Sequence, residues 1–288
     1  MTVGVALLEL VGGLSAHSLA LLSDAAHVSM DVVALGIALA ADYQAARPAT
    51  ARLTYGFARV EALAALANGG LLFGVTLLIA VEAFHRFSVP ETPAGALMFA
   101  VAATGMAINV AVGFLIASRA RDDLNVKAAL FHVAGDAVGA FAVMVGGVAI
   151  LLTGRSWIDP ALSLVVAAII LIGVVRVVRE AADILLESAP AGVATADVGD
   201  AIRATPGVVG VHDLHVWTIG GGMHVLSAHV HLPDARISEA SAVLHAIDAQ
   251  MRDRFGISHV TIQFECESCA DDERIVCTQP AAGRSAAP

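Results

Sequence analysis

The sequence predicts a membrane all-α bundle of six transmembrane helices, the first of them truncated, followed by a small α+β domain. Three observations carry that prediction. Of the 288 residues, 58% are hydrophobic and 15% charged, and the mean hydropathy of +0.79 is far above that of a soluble domain of this length. Apolar runs long enough to cross a bilayer recur through the first two thirds of the chain. After Leu186 the hydropathy falls and the periodicity changes.

A spanning helix needs about 20 apolar residues to cross about 30 Å of hydrocarbon. On that criterion five full spans lie near 18–41, 60–84, 94–117, 126–152 and 160–178. Residues 1–14 make a sixth that is too short, ending at Gly12-Gly13, as though residues preceding Met1 were missing; a re-entrant or interfacial helix is the alternative. No basic n-region or cleavage site precedes the first apolar run, so no secretory signal is expected.

Orientation follows from the short loops. Arg47, Arg52 and Arg59 flank the 2–3 loop, Arg119, Arg121 and Lys127 the 4–5 loop, and Arg176 and Arg179 follow the sixth span, whereas the other side offers mainly Arg86 and Arg155. The positive-inside rule makes the larger group cytoplasmic. Both chain ends then lie in the cytosol, the protein sits in the cell's inner (plasma) membrane, and Trp157 belongs to the outer aromatic belt.

Pro190 and Gly192 mark a linker, which divides the chain into a transmembrane domain, 1–186, a C-terminal domain, 187–265, and a Cys-containing flexible tail, 266–288. A helix near 195–204 leads into a strand, 208–217, a Gly220-Gly221-Gly222 turn and a second strand, 224–232; a helix over 238–254 and a last strand, 258–265, follow. The order αββαβ predicts a ferredoxin-like α+β sandwich with helices on one sheet face. The net charge of -10 comes with no basic stripe, so nothing points to a nucleic-acid partner. Cys266, Cys269 and Cys277 crowd into the tail, a pattern of reduced, metal-binding cysteines rather than of a disulfide framework.

The residues that carry chemistry lie inside the spans. A charged side chain at bilayer depth costs about 2.5–3.5 kcal/mol on insertion scales, so an intramembrane ionisable group is a functional candidate by default. Here His27 and Asp31 share one helix and His132 and Asp136 another, each pair at i and i+4 and so on one helix face. The flanks repeat too, since Val28 and Val33 stand where Val133 and Val138 do. Two such helices side by side supply two nitrogens and two oxygens, the donor set of a tetrahedral Zn²⁺ site, with Cd²⁺ or Co²⁺ as close alternatives; Mg²⁺ and Ca²⁺ want more oxygens. A polar clasp between helices is the bland alternative. Asp24, three residues before His27, is either an entry group beside the site or a helix-start residue near the interface. Glu9, Asn68 and Asn109 are further polar residues of the spans, and the asparagines are expected to make helix-packing hydrogen bonds.

Ser18-Leu-Ala-Leu-Leu-Ser-Asp-Ala-Ala-His27-Val-Ser-Met-Asp31, Thr54-Tyr-Gly-Phe-Ala-Arg59-Val-Glu61 and His132-Val-Ala-Gly-Asp136 resemble the cation diffusion facilitators, and the likeness covers nearly the whole chain. The resemblance implies a homodimer, joined through its C-terminal domain, that exports zinc from the cytosol by exchange with protons, with His27, Asp31, His132 and Asp136 as the transport site. The 2–3 and 4–5 loops lack the histidines some relatives carry, so no loop metal site is expected.

In that family the C-terminal domain dimerises and senses metal, and Val211-His212-Asp-Leu-His-Val-Trp217 with Thr261-Ile-Gln-Phe-Glu265 resembles it. Strand alternation puts Leu226, Ala228, Val230 and Leu232 on an apolar face and His229 and His231 on the other; Glu265 shares that polar face. His212 has the parity of Leu214 and Val216, which turns it toward the core unless the strand begins after it. Cys266 and Cys269 add two thiols at metal-ligand spacing, giving His212, His229, Glu265, Cys266 and Cys269 as a candidate regulatory site. His259 shares the polar face of the last strand, and the remaining histidines, His17, His85, His215, His224 and His245, read as surface or packing residues.

Two rivals stand beside the transporter. A metal-responsive receptor or scaffold would use the membrane pairs structurally. A membrane-embedded metalloenzyme would need an open coordination position and a nearby general base, and the chain offers neither a His-Glu-x-x-His nor a spare glutamate at that depth.

Overall fold

A computed structural model describes residues 2–118 and 124–266. The elements are α1 (Thr2–Ala16), α2 (Leu19–Ala45), α3 (Val60–Ser88), α4 (Gly95–Ala117), α5 (Leu124–Thr153), α6 (Ile158–Leu185), α7 (Thr195–Arg203), β1 (Gly210–Gly220), β2 (Met223–His231), α8 (Ile237–Phe255) and β3 (Ile257–Glu265). They form two compact units, one of Met1–Ala40 with Ala64–Arg179, the other of Ala41–Leu63 with Glu180–Pro288.

In the first unit α2, α3, α4, α5 and α6 are long and apolar enough to cross a membrane, while α1 is a shorter apolar helix. Large apolar side chains point outward along them, Phe114, Phe131 and Leu152 being more than 70% exposed, as lipid-facing residues must. The small core is built where helices meet: Ala16, Ala20, Leu21, Met98, Ala102 and Val143. Glycines let α4 and α5 approach backbone to backbone, since a Cβ on Gly95 would come 2.7 Å from the Gly147 carbonyl oxygen.

The start of α2 is held from a distance. Asp159, in the first turn of α6, is 1% exposed; its Oδ1 accepts from Ser18 Oγ at 2.6 Å and from the Ala20 amide at 3.2 Å, and its Oδ2 accepts from the Leu19 amide at 2.6 Å. These are the free donors of a helix N-terminus, satisfied by a carboxylate that also suits the positive end of the dipole. Arg86 of α3 lies 3.8 Å from the same Oδ2 and 3.1 and 3.2 Å from Glu82 and Glu91.

The expected sixth span, 160–178, is the apolar part of a longer helix. α6 continues to Leu185 because its backbone bonds do not stop where the charged residues Arg179, Glu180 and Asp183 begin. It ends where Glu187 turns to φ 59°.

In the second unit the sheet order is β1-β2-β3, with β1 and β2 antiparallel and β2 and β3 parallel. α8 makes the crossover that a parallel pair requires. Val198, Ile202, Val211, Leu226, Ile247 and Met251 meet in its core. The αββαβ order is as the pattern predicts, with β1 set two to three residues later. Residues 41–63 pack with this domain: Arg59 lies 2.6 Å from Glu187, Glu61 accepts the Gly221 amide at 3.2 Å, and Tyr55 meets the His259 ring edge to face at 5.9 Å. Gly220 is needed for that approach, because a Cβ there would run into the Ala58 carbonyl.

Candidate metal centre

α2 and α5 bring the four intramembrane residues to one place. Asp31 Oδ2 lies 3.8 Å from His27 Nε2 and 3.3 Å from His132 Nε2, which in turn lies 3.8 Å from Asp136 Oδ2. Ligand atoms of His27, Asp31 and Asp136 all fall within 4.8 Å of one another. A tetrahedral ion with bonds of about 2.0–2.1 Å sets its ligands about 3.3–3.4 Å apart; the Asp31–His132 pair stands at that spacing, while His132 lies outside the group that converges within 4.8 Å, so the wider pairs must draw in for all four to hold one small divalent cation. His27 Nδ1 is buried without a hydrogen-bond partner. His132 is the most open of the four, its side chain half exposed.

Of the other polar residues in the spans, Asp24 is buried at 6% exposure, one turn beyond the start of α2, whose first amides are capped by Asp159. Asn68 Oδ1 is buried without a hydrogen-bond partner. Asn109 lines a cavity between α4 and α5 with Val133, Ala134 and Ala137. Glu9 is among the most deeply buried side chains of the chain.

A second group lies on the polar face of the sheet. His212 Nε2 is 3.4 Å from Glu265 Oε2, and His229 Nδ1 is 2.9 Å from Glu265 Oε1. The two rings stand at 5.2 Å between centroids. His212, His229 and Glu265 thus hold ligand atoms within 4.8 Å of one another.

The parity that would have turned His212 toward the core is corrected by a bulge. Before it, Val211 pairs with Val230 on the apolar face and His212 with His229 on the polar face; after it, Val216 pairs with Leu226 on the apolar face again. Asp213 is the extra residue, at φ 49°, a left-handed conformation that aspartate tolerates better than most. Its carboxylate lies 3.1 Å from His215 and 3.7 Å from His229, a neighbour that strict alternation could not have found. Cys266 is exposed and, among the described residues, is not part of this group. Cys269 lies outside the described residues, as do Cys277, Arg119 and Arg121.

The cation efflux transmembrane domain family matches residues 1–186, and the cytoplasmic domain of cation efflux proteins matches 190–267. The chain belongs to the cation diffusion facilitator family. This facilitator is 40% identical over 261 residues to the metal cation efflux system protein CzcD of Cupriavidus metallidurans, covering 91% of this chain and 82% of the relative. It is 35% identical over 280 residues to a cadmium, cobalt and zinc/H(+)-K(+) antiporter of Bacillus velezensis, with 96% and 89% covered. To the zinc transporter ZitB of Escherichia coli it is 36% identical over 271 residues, with 93% and 86% covered. A solved structure of the metal-bound C-terminal domain of the CzcD transporter shares 44% identity, over 25% of this chain and 99% of that one, at a TM-score of 0.24.

Proposed function

We propose that this chain is a zinc-efflux transporter that takes Zn²⁺ from the cytosol at His27, Asp31, His132 and Asp136 and releases it on the far side in exchange for protons. The observation that carries the reading is the convergence of two His/Asp pairs from α2 and α5 inside membrane-spanning helices. Relatives whose names specify zinc, cadmium and cobalt support the choice of cargo, and Cd²⁺ and Co²⁺ are the alternative ions. Zinc binds only deprotonated ligands, so loading the site releases protons and re-protonation expels the ion.

The transmembrane domain is assigned to 1–186, the C-terminal domain to 187–265 and the tail to 266–288. The loop charges support an inner-membrane orientation with both termini cytoplasmic. The cytoplasmic domain joins two copies into a homodimer, and His212, His229 and Glu265 form a regulatory metal site there. That group also favours a second reading, a metal-responsive receptor in which the membrane residues carry no ion.

Everted vesicles separate the two. Zinc uptake should depend on an imposed pH gradient and vanish in Asp136→Ala. Undiminished uptake in that variant would overturn the assignment of the membrane site, and zinc binding without any flux would favour the receptor.

A further inference from the structure

α1 carries a carboxylate that the four-ligand site does not use. Glu9 is 1% exposed, and its Oε2 has no hydrogen-bond partner. Its other oxygen fits against Gly105 of α4, where even a methyl group would come 2.8 Å from Oε1. A buried, unpartnered carboxylate oxygen is costly anywhere and most of all inside a membrane helix bundle. α1 meets α2 one turn beyond Glu9, where a Cβ on Gly13 would come 2.9 Å from the Leu22 side chain, so Glu9, four residues before Gly13, lies beside the turn of α2 that carries Asp24, while α4 presents Gly105.

Asp24 links Glu9 to the site. Asp24, His27 and Asp31 follow one another at i, i+3 and i+7 on one face of α2, as His132, Asp136 and Gly139 do at i, i+4 and i+7 on α5. Asp24 Oδ1 lies 3.6 Å from where a Cβ of Gly139 would stand. The seam that holds the four candidate ligands therefore stays polar for another turn, toward the end at which α1 and α2 meet, and Glu9 joins it from the side.

What this pair holds is decided by convergence. Among the described residues, the groups whose ligand atoms come within 4.8 Å of one another include neither Glu9 nor Asp24, and carboxylates without an imidazole are a poor zinc set. Proton movement needs only successive acceptors. We propose that Glu9, with Asp24 between it and the site, is a proton station that carries protons from the α1–α2 end of the bundle to the metal ligands. A proton arriving on Glu9 passes by way of bridging water through Asp24 to a ligand, that ligand loses its bond to Zn²⁺, and the ion leaves; no electrons move. This rests on the proton exchange proposed above.

The test uses the full-length protein in vesicles loaded with a pH dye, with equilibrium zinc binding measured in parallel. Glu9→Gln should bind zinc as the native protein does, yet its zinc-driven proton flux and zinc turnover should both fall about ten-fold or more, and Glu9→Asp should restore part of the loss. Gly105→Ala, which crowds Oε1 and keeps the carboxylate, should slow both fluxes less. Native proton flux in Glu9→Gln would overturn the station, and so would loss of zinc binding, which would make Glu9 a ligand or a packing residue. If the native protein moves zinc with no proton movement at all, the exchange itself fails, a result distinct from either.

Discussion

Asp159 is the residue on which the geometry of the membrane site turns, although it touches no ligand. It fixes the start of α2 through three hydrogen bonds, and α2 carries His27 two turns further on. Hydrogen bonds to a charged group are each worth about 1.5–3 kcal/mol net, and removing one partner strands the others and leaves Arg86 beside an apolar hole. Asp159→Ala should therefore destabilise the protein by about 3 kcal/mol, and Asp159→Asn, which keeps one acceptor oxygen but turns an NH2 group toward a backbone or hydroxyl donor, by about 2 kcal/mol. A thermal-shift series in detergent checks the order; an alanine variant that melts with the native protein would remove Asp159 from this role. Nothing in the sequence pairs residue 159 with residues 18–20, because the contact joins segments about 140 positions apart. The two His/Asp pairs were legible for the opposite reason: each is local, at i and i+4, and conspicuous against an apolar background.

At the scale of elements, the spans and the αββαβ order follow from hydropathy and periodicity, which depend only on neighbours. The position of His212 does not. A period of 2 puts it with Leu214, and only the extra residue in β1 brings it beside His229. The left-handed Asp213 is the one local sign of that irregularity, and it is visible only in the backbone. The bulge can be tested directly. Deleting Asp213 restores strict alternation, so either His212 turns into the core or Val211 turns out of it. The full-length deletion variant should bind one fewer Zn²⁺ per chain by metal analysis after dialysis, while zinc flux through the membrane site persists. Unchanged stoichiometry would show that His212, His229 and Glu265 hold no ion.

For the whole molecule, the charge of the site decides how transport responds to voltage. With both imidazoles neutral and both carboxylates ionised, as metal binding requires, His27, Asp31, His132 and Asp136 carry two negative charges, and bound Zn²⁺ brings the total to zero. Two protons on the same four groups bring it to zero as well. A single proton would leave a net charge at bilayer depth, and desolvating an unpaired charge there is the costlier state. Exchange of two protons for each zinc ion therefore keeps the site neutral in both of its loaded forms. Moving one net charge through the membrane would be worth about 2.3 kcal/mol per 100 mV, a large bias on the turnover rate. Zinc uptake at a fixed pH gradient should accordingly stay constant when a potassium gradient and ionophore step the potential by about 100 mV. A rate that follows the potential would mean that a number of protons other than two returns for each zinc ion, with one form of the site left charged.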